Sequence, residues 1–470
     1  MSLSPLSDTI CAPASSVGGG AVSIIRISGT QCFPTLDSLL EFTHGNAASS
    51  PGYRLKRAQF ADVDDVLVGI FRAPHSYTGE DAAEIYCHAS PYIVSRILEL
   101  LCSKGCRMAE PGEFTRRAFL NGKMDLAQAE AVADVIAAQS EAQLRVAGTQ
   151  LRGGYSSELR QIRASLVELS ALMELELDFS EEEVEFADRA RLRELLDSAT
   201  QRCRSLCNSF RAGNAIRNGV PVAIAGAPNS GKSTLLNALL HDDRAIVSPI
   251  PGTTRDTIEE GCVLGGILMR FIDTAGLRES DDCIERMGIE RSRAKIREAF
   301  VVLGVLDAAL DPDELLAQAC ELASCMSSED QKLVLLLNKL DIADNLYVNK
   351  NVMRANIFVS LLADKGIDAN VLEISAKTGL GLEKLLDTLA SSCSPDSGND
   401  LLVTNARHAE ALRASAEALD KVASGLELQL PTDLLAEDLR DAISHLGTIT
   451  GEISTDEVLG EIFGRFCIGK

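Results

Sequence analysis

The run Gly226–Ala227–Pro228–Asn229–Ser230–Gly231–Lys232–Ser233 lies between a strand-like segment, VPVAIAG, and a helical one, STLLNALL. Its glycines let backbone N–H groups turn inward around phosphate oxygens. Lys232 offers a cation to the β- and γ-phosphates, and the Ser233 hydroxyl suits a Mg²⁺ ion. Thr234 follows in the same turn and completes the phosphate-binding set. Such a run specifies phosphate but leaves the base open. Asp273–Thr274–Ala275–Gly276 ends a second strand-like run, where a carboxylate can hold the Mg²⁺ shell and the Gly276 amide can sense a γ-phosphate. Asn338–Lys339–Leu340–Asp341 ends the next strand but one. A carboxylate there can accept both the N1–H and the exocyclic amine of guanine, a pair of donors that adenine does not present. Ser375–Ala376–Lys377 closes the last strand, where backbone and side chain can pack over the base. In this order, each at a strand's C-terminal end, the segments describe a GTPase. Many GTPases place a glutamine directly after the DTAG glycine to orient water. Here that position is Leu277, and the charged stretch Arg278, Glu279, Asp281, Asp282, Glu285 and Arg286 follows; on composition alone it is a solvated loop.

The elements that must position these residues can be read from proline and periodicity. The chain has 470 residues, enough for two to four domains. Proline recurs up to Pro111, is absent from 112 to 220, and returns at Pro221 and Pro228. Because proline breaks helix interiors, the gap predicts stacked long helices. Ile162, Leu166, Leu169 and Met173 repeat at helical spacing, as do Leu192, Leu195, Ala199 and Cys203. Residues 1–121 mix β-rich runs such as Ala21–Ile27 with Gly/Pro punctuation and predict an α+β domain. Residues 217–392 alternate VPVAIAG, ILMRFID, AFVVLGVLD, KLVLLLNK and NVLEISA with helical stretches, the pattern of a doubly wound α/β domain. Residues 122–216 and 393–470 are helical, and the expectation is one helical-bundle domain interrupted by the α/β insert. Ser454 three residues before Glu457 predicts a capping box ahead of Val458, Leu459 and Ile462.

Composition narrows the partners and the compartment. Lys and Arg number 45 against 68 Asp and Glu, a net charge of −23. A broad basic surface for nucleic acid is not expected from that balance. No run approaches a membrane span and MSLSPLSDTI lacks signal-peptide character, so a cytoplasmic protein with no membrane partner is expected. Thirteen cysteines without a CxxC pair argue against a disulfide framework or a zinc site; Cys203 and Cys207 share a helix face as small apolar residues.

Further segments carry a resemblance that runs the whole length: Gly19–Gly20–Ala21–Val22–Ser23–Ile24–Ile25–Arg26–Ile27–Ser28–Gly29, SYTGEDAAEIYCH at 76–88, EPGEFTRRAFLNGKMDLAQAEAVADVI at 110–136, GTTRD at 252–256, DTAGLRES at 273–280 and the terminal FCIGK. With these the sequence resembles the bacterial MnmE (TrmE) family of tRNA-modification GTPases. The resemblance implies an N-terminal α+β domain that binds a formyl-tetrahydrofolate and dimerises, a helical domain, and a Ras-like G domain inserted in it. It implies that Arg26, Glu84, Lys123 and Lys470 contact the folate, the cations suiting glutamate carboxylates and Glu84 the pterin's N–H donors. It implies a homodimer whose G domains close around K⁺, with Asn229 of the phosphate loop as the matching ligand and Ser248, Ile250 and Thr253 at the other loop positions, where the carbonyls of Ser248 and Ile250 can serve whatever the side chains; family members often carry Thr at position 248. Thr254 joins Ser233 on Mg²⁺, Glu285 orients the attacking water, and Arg255 and Arg278 stabilise the switches. It further implies an FAD-containing partner of the MnmG (GidA) type and a (carboxymethyl)aminomethyl group added to the wobble uridine of certain tRNAs, with tRNA held mainly by the partner. Cys467, beside the folate tail, is a candidate nucleophile, though no neighbouring base is evident to activate it. The competing reading is a regulatory or ribosome-assembly GTPase of the Era-like type, against which the N-terminal segment and FCIGK weigh. A scaffold with a silent G domain is disfavoured by intact Lys232, Ser233, Asp273 and Asp341.

Overall fold

The computed structural model describes residues 8–16, 19–178, 189–241, 246–248, 259–273, 293–326, 331–342, 358–363, 366–393, 401–428 and 430–469. The chain forms two compact units. One comprises Met1–Ala133, Gln150–Glu183 and Leu430–Lys470, the other Asp134–Thr149 and Val184–Gln429.

The first unit is built on seven strands: β1 (Ile10–Pro13), β2 (Val22–Ser28), β3 (Leu40–Phe42), β4 (Arg54–Phe60), β5 (Asp64–Phe71), β6 (Ala82–His88) and β7 (Arg107–Met108). They lie in the order β3-β4-β5-β6-β2-β1-β7. All pairings are antiparallel except β1 with β7. Side chains alternate between faces along a strand, and β2 obeys this. Ile25 and Ile27 enter a core shared with Phe33, Leu36, Val94 and Ile97 of the helices Cys32–Leu39 and Pro91–Ser103. Arg26 therefore falls on the other face, and the register sets it directly opposite Glu84 of β6.

Arg117, in the helix Glu113–Leu120, has a fully buried side chain. Its guanidinium meets Asp8 Oδ1 at 2.7 Å, Glu113 Oε1 at 3.0 Å and Glu80 at 3.3 Å. Burial alone would raise the Glu113 carboxyl. Hydrogen bonds from Arg107, the Glu110 N–H and Arg117 outweigh it and hold the group below its ordinary value.

Helical halves find their partners at long range. Gly154–Asp178 packs on Thr432–Thr450 in the first unit, and Arg189–Asn208 packs on Ala406–Glu427 in the second. Ile162, Leu166, Leu169 and Met173 are buried, as are Leu192, Leu195, Ala199 and Cys203. Cys207 is half-buried, and its thiol donates to the Ala409 carbonyl at 3.6 Å. The expected capping box is displaced. The helix Asp456–Gly464 is capped by Thr455, whose hydroxyl accepts the Val458 N–H at 3.4 Å. With Ser454 and Thr455 adjacent, pattern alone does not choose between two good cap acceptors.

The second unit holds the other sheet: β8 (Val220–Ala225), β9 (Ile246–Ser248), β10 (Glu259–Leu264), β11 (Ile267–Asp273), β12 (Val301–Asp307), β13 (Lys332–Asn338) and β14 (Asn370–Glu373). The order is β14-β13-β12-β8-β11-β10-β9. The five strands expected from apolar runs are the parallel ones. Helices cover both faces, Lys232–Leu240 and Leu382–Cys393 on one and Pro312–Cys325 on the other. This explains the nearly unbroken apolar character of β12 and β13. The antiparallel β9 and β10 gave no such signal, because β9 has three residues and β10 opens on Glu259–Glu260. No described helix is long and apolar enough to cross a membrane.

The buried cluster around Arg117 yields a prediction. Arg117→Met takes one of its charged partners from the buried Glu113 carboxylate, which keeps Arg107 and the Glu110 N–H, and should cost about 1–3 kcal/mol of unfolding free energy. Because the folded Glu113 value is depressed, its contribution is complete above the ordinary carboxyl range and is lost as pH falls through the lowered value. Urea unfolding followed from pH 7 to pH 3 should therefore steepen at the acid end in the native protein and flatten in Glu113→Gln.

Candidate functional site

The parallel strands β8, β11, β12, β13 and β14 share a C-terminal edge, and the predicted loops leave the sheet there. β8 passes through Gly226 to Gly231 into the helix Lys232–Leu240. Gly231 has φ +103°, and a Cβ on it would lie 2.3 Å from Asn338 Nδ2. Only glycine satisfies both the left-handed backbone and that approach. Asn229 is exposed and also left-handed, with φ +61°. Ser230 is buried. Ser233 and Thr234 are exposed in the first helical turn, where backbone N–H groups have no intrahelical acceptor and favour an anion. The Lys232 ammonium donates to the carbonyls of Gly226 at 2.9 Å and Ala227 at 2.8 Å, so it stays on the loop and within reach of anything the loop wraps. Asp273 ends β11, whose backbone pairs with β8 up to Asp273 opposite Ile224. A hydroxyl at the helix start and a carboxylate closing the adjacent strand are the hard oxygen donors that Mg²⁺ takes.

The base-side loops are tied to the phosphate loop by one residue. Asn338 is buried; its Nδ2 donates to the Ser230 carbonyl at 2.9 Å and its Oδ1 accepts the Ala376 N–H at 3.0 Å. It therefore faces inward and acts through the loops it joins. Asp341 is exposed, and its Oδ1 accepts the Ser375 hydroxyl at 2.8 Å. Ser375 Oγ in turn accepts the Thr378 N–H at 3.3 Å. Ser375 and Ala376 are buried and Lys377 is exposed. Lys339 pairs with Asp307 at 2.7 Å. Asp307 was not singled out from the sequence; the signal available was a carboxylate closing the otherwise apolar VVLGVLD. Ile250, Thr253, Thr254, Arg255, Thr274, Ala275, Gly276, Leu277, Arg278, Glu285 and Lys470 lie outside the described residues, and Ser248 and Asp273 are described by their backbone alone.

A second constellation sits on the open face of the N-terminal sheet. Arg26 Nη2 donates to Glu84 Oε1 at 2.9 Å, and Tyr86 OH donates to Glu84 Oε2 at 2.8 Å. Arg26 Nη1 donates to the Gly469 carbonyl at 3.2 Å, which brings the terminal motif to the same place. The rings of Tyr77 and Phe114 lie within 5.4 and 5.6 Å of the guanidinium. Cys467 is exposed, and its carbonyl accepts the Gly112 N–H. Lys123 is held separately, donating to the Pro74 carbonyl at 2.9 Å. The neighbouring Asn121 bonds the Thr78 carbonyl, which joins this turn to the loop that carries Tyr77. A cation, a carboxylate and aromatic rings are the right set for a flat heterocycle with carboxylate substituents.

Asn338→Ala removes both bonds of the tie and leaves a loop carbonyl and a buried N–H without their partner, at about 1–3 kcal/mol each. Titration with a fluorescent guanine nucleotide should show at least about tenfold weaker binding; unchanged affinity would contradict the tie.

Comparison with known proteins covers nearly the whole chain. Residues 9–123 match the family model described as the GTP-binding protein TrmE N-terminus, and residues 126–467 match the MnmE helical domain. A tRNA modification GTPase MnmE of Porphyromonas gingivalis is 46% identical over 477 residues, covering 98% of each chain. One of Bacteroides fragilis is 46% identical over 474 residues, covering 98% of this chain and 99% of its own. Among solved structures, the G domain of the T. maritima FeoB iron transporter is 26% identical, with a TM-score of 0.26 over 37% of this chain and 99% of that one. With both family models matched end to end and full-length relatives sharing nearly half its residues, the chain belongs to the MnmE (TrmE) family.

Proposed function

We infer that the protein is a GTP-hydrolysing tRNA modification enzyme. The observation that carries this reading is the Asn338 bridge, which fastens a phosphate loop to a base-reading loop at one sheet edge in a chain of this family. Lys232 turns from its loop carbonyls to the β- and γ-phosphates, Ser233 and Thr254 hold Mg²⁺, and Asp341 reads guanine while Ser375 fixes its carboxylate. Thr234, Thr274, Ala275, Gly276, Ala376 and Lys377 line the nucleotide. Glu285 orients the attacking water where a glutamine is replaced by Leu277.

The finer reading is a homodimer whose G domains close around K⁺. Asn229, Ser248, Ile250 and Thr253 are its ligands, and the ion supplies positive charge near the phosphates. The left-handed, exposed Asn229 supports this, since it leaves the side-chain amide available at the loop's rim. Hydrolysis drives a cycle in which an FAD-containing partner of the MnmG type and tRNA join the dimer. Arg26, Glu84, Lys123 and Lys470 would hold a tetrahydrofolate, which when bound would supply a one-carbon unit for the wobble uridine. The strongly acidic chain fits a division of labour in which the partner supplies most of the tRNA surface. A purely regulatory GTPase would have no use for the Arg26–Glu84 constellation or for a terminal motif docked beside it.

GTP turnover in KCl and in NaCl at equal ionic strength tests the reading. Clear stimulation by K⁺ is expected; equal rates would remove the K⁺ mechanism. For the second site, calorimetry with 5-formyltetrahydrofolate should show binding that Arg26→Ala weakens by at least about tenfold. Equal affinity in the variant would remove Arg26 from that site.

A further inference from the structure

Lys339 makes a contact for which the nucleotide-binding motifs provide no role. Its ammonium lies 2.7 Å from Asp307 Oδ2, with both side chains mostly buried. The carboxylate is itself anchored, since Asp307 Oδ1 accepts the Ala309 N–H at 3.0 Å. The Ala308 N–H donates to the Asn338 carbonyl at 2.9 Å, so the end of β12 is stitched to the segment that carries Lys339. An ion pair between two free surface side chains fixes little; here the acceptor is held by backbone and determines where the cation rests. Lys339 also has φ +70°, a region unfavourable for a residue with a Cβ, which the neighbouring strand ends must hold in place.

The position matters because of what lies two residues on. Asp341 is exposed, and Ser375 engages its Oδ1. A lysine two residues away on the same turn is the nearest cation in sequence that could neutralise it. We propose that Asp307 is a positioning residue of the nucleotide site, which sequesters the Lys339 ammonium and so leaves the Asp341 carboxylate to the guanine edge. This rests on the reading of Asp341 as the base reader and adds the device that keeps it available. Asp307 touches no nucleotide in this account; it acts through Lys339.

The test uses the full-length protein and titration with GDP and IDP, which lacks the exocyclic amine. Asp307→Asn keeps the acceptor for Ala309 and removes the charge. It should weaken GDP binding roughly five- to tenfold and IDP binding less, narrowing the preference for GDP. In a Lys339→Met background, adding Asp307→Asn should change GDP affinity less than about twofold, because no ammonium remains to be sequestered. Unchanged GDP affinity in Asp307→Asn, or a loss that persists at full size in the Lys339→Met background, would overturn the proposal. Failure of the unmutated protein to bind GDP would instead remove the guanine-nucleotide reading on which it rests.

Discussion

A buried amide must satisfy both its donor and its acceptor, and in this protein a single one does so across three loops. Asn338 donates to the Ser230 carbonyl of the phosphate loop and accepts from the Ala376 N–H of the loop after β14. The demand is strict because an unpartnered polar group inside a protein costs more than a made hydrogen bond contributes. Other features follow from it. Gly231 has no side chain because the Asn338 amide occupies that space. Asp341 emerges three residues after Asn338 and is caught by Ser375, the neighbour of Ala376. The loop after β8 and the loop after β14 are thus held at a fixed separation by one side chain.

The rest of the second unit keeps this edge in register. Five parallel strands, covered on both faces, have few ways to slip without exposing apolar side chains or breaking ladders. The N-terminal sheet solves a different problem. One face is dry and packed by helices, while the other presents Arg26 opposite Glu84 by strand register alone. The carbonyl of Gly469, from the far end of the chain, accepts a hydrogen bond from the same arginine.

Much of this was legible in the sequence, for physical reasons that differ by element. The parallel strands were readable because burial on both faces demands continuous apolar runs, as in VVLGVLD and KLVLLLN. The phosphate loop was readable because its backbone geometry demands glycine at fixed spacing. The long helices were readable from Ile162, Leu166, Leu169 and Met173, whose spacing reports one buried stripe. What they pack against was only inferred, since partner choice between distant segments leaves no mark within either. Short edge strands such as β9 carried too few residues to show a period. The cap moved from Ser454 to Thr455 because either hydroxyl suits the position. The inward role of Asn338 and the Asp307–Lys339 pair were hidden because each depends on which strand ends become neighbours, a property of topology and not of local pattern. The pairing of Arg26 with Glu84 was hidden for the same reason, although both residues were marked by resemblance.

The central claim is that Asp341, fixed by Ser375 and spaced from the phosphate loop by Asn338, reads the guanine edge. Xanthine differs from guanine by carrying an oxygen acceptor where guanine has its amine. Replacing the carboxylate by an amide, which offers a donor, should therefore invert the preference. The most direct measurement is the affinity of the native protein and of Asp341→Asn for GTP and XTP. The native protein should prefer GTP and the variant XTP, each by at least about tenfold. A variant that retained the native preference for GTP would contradict it.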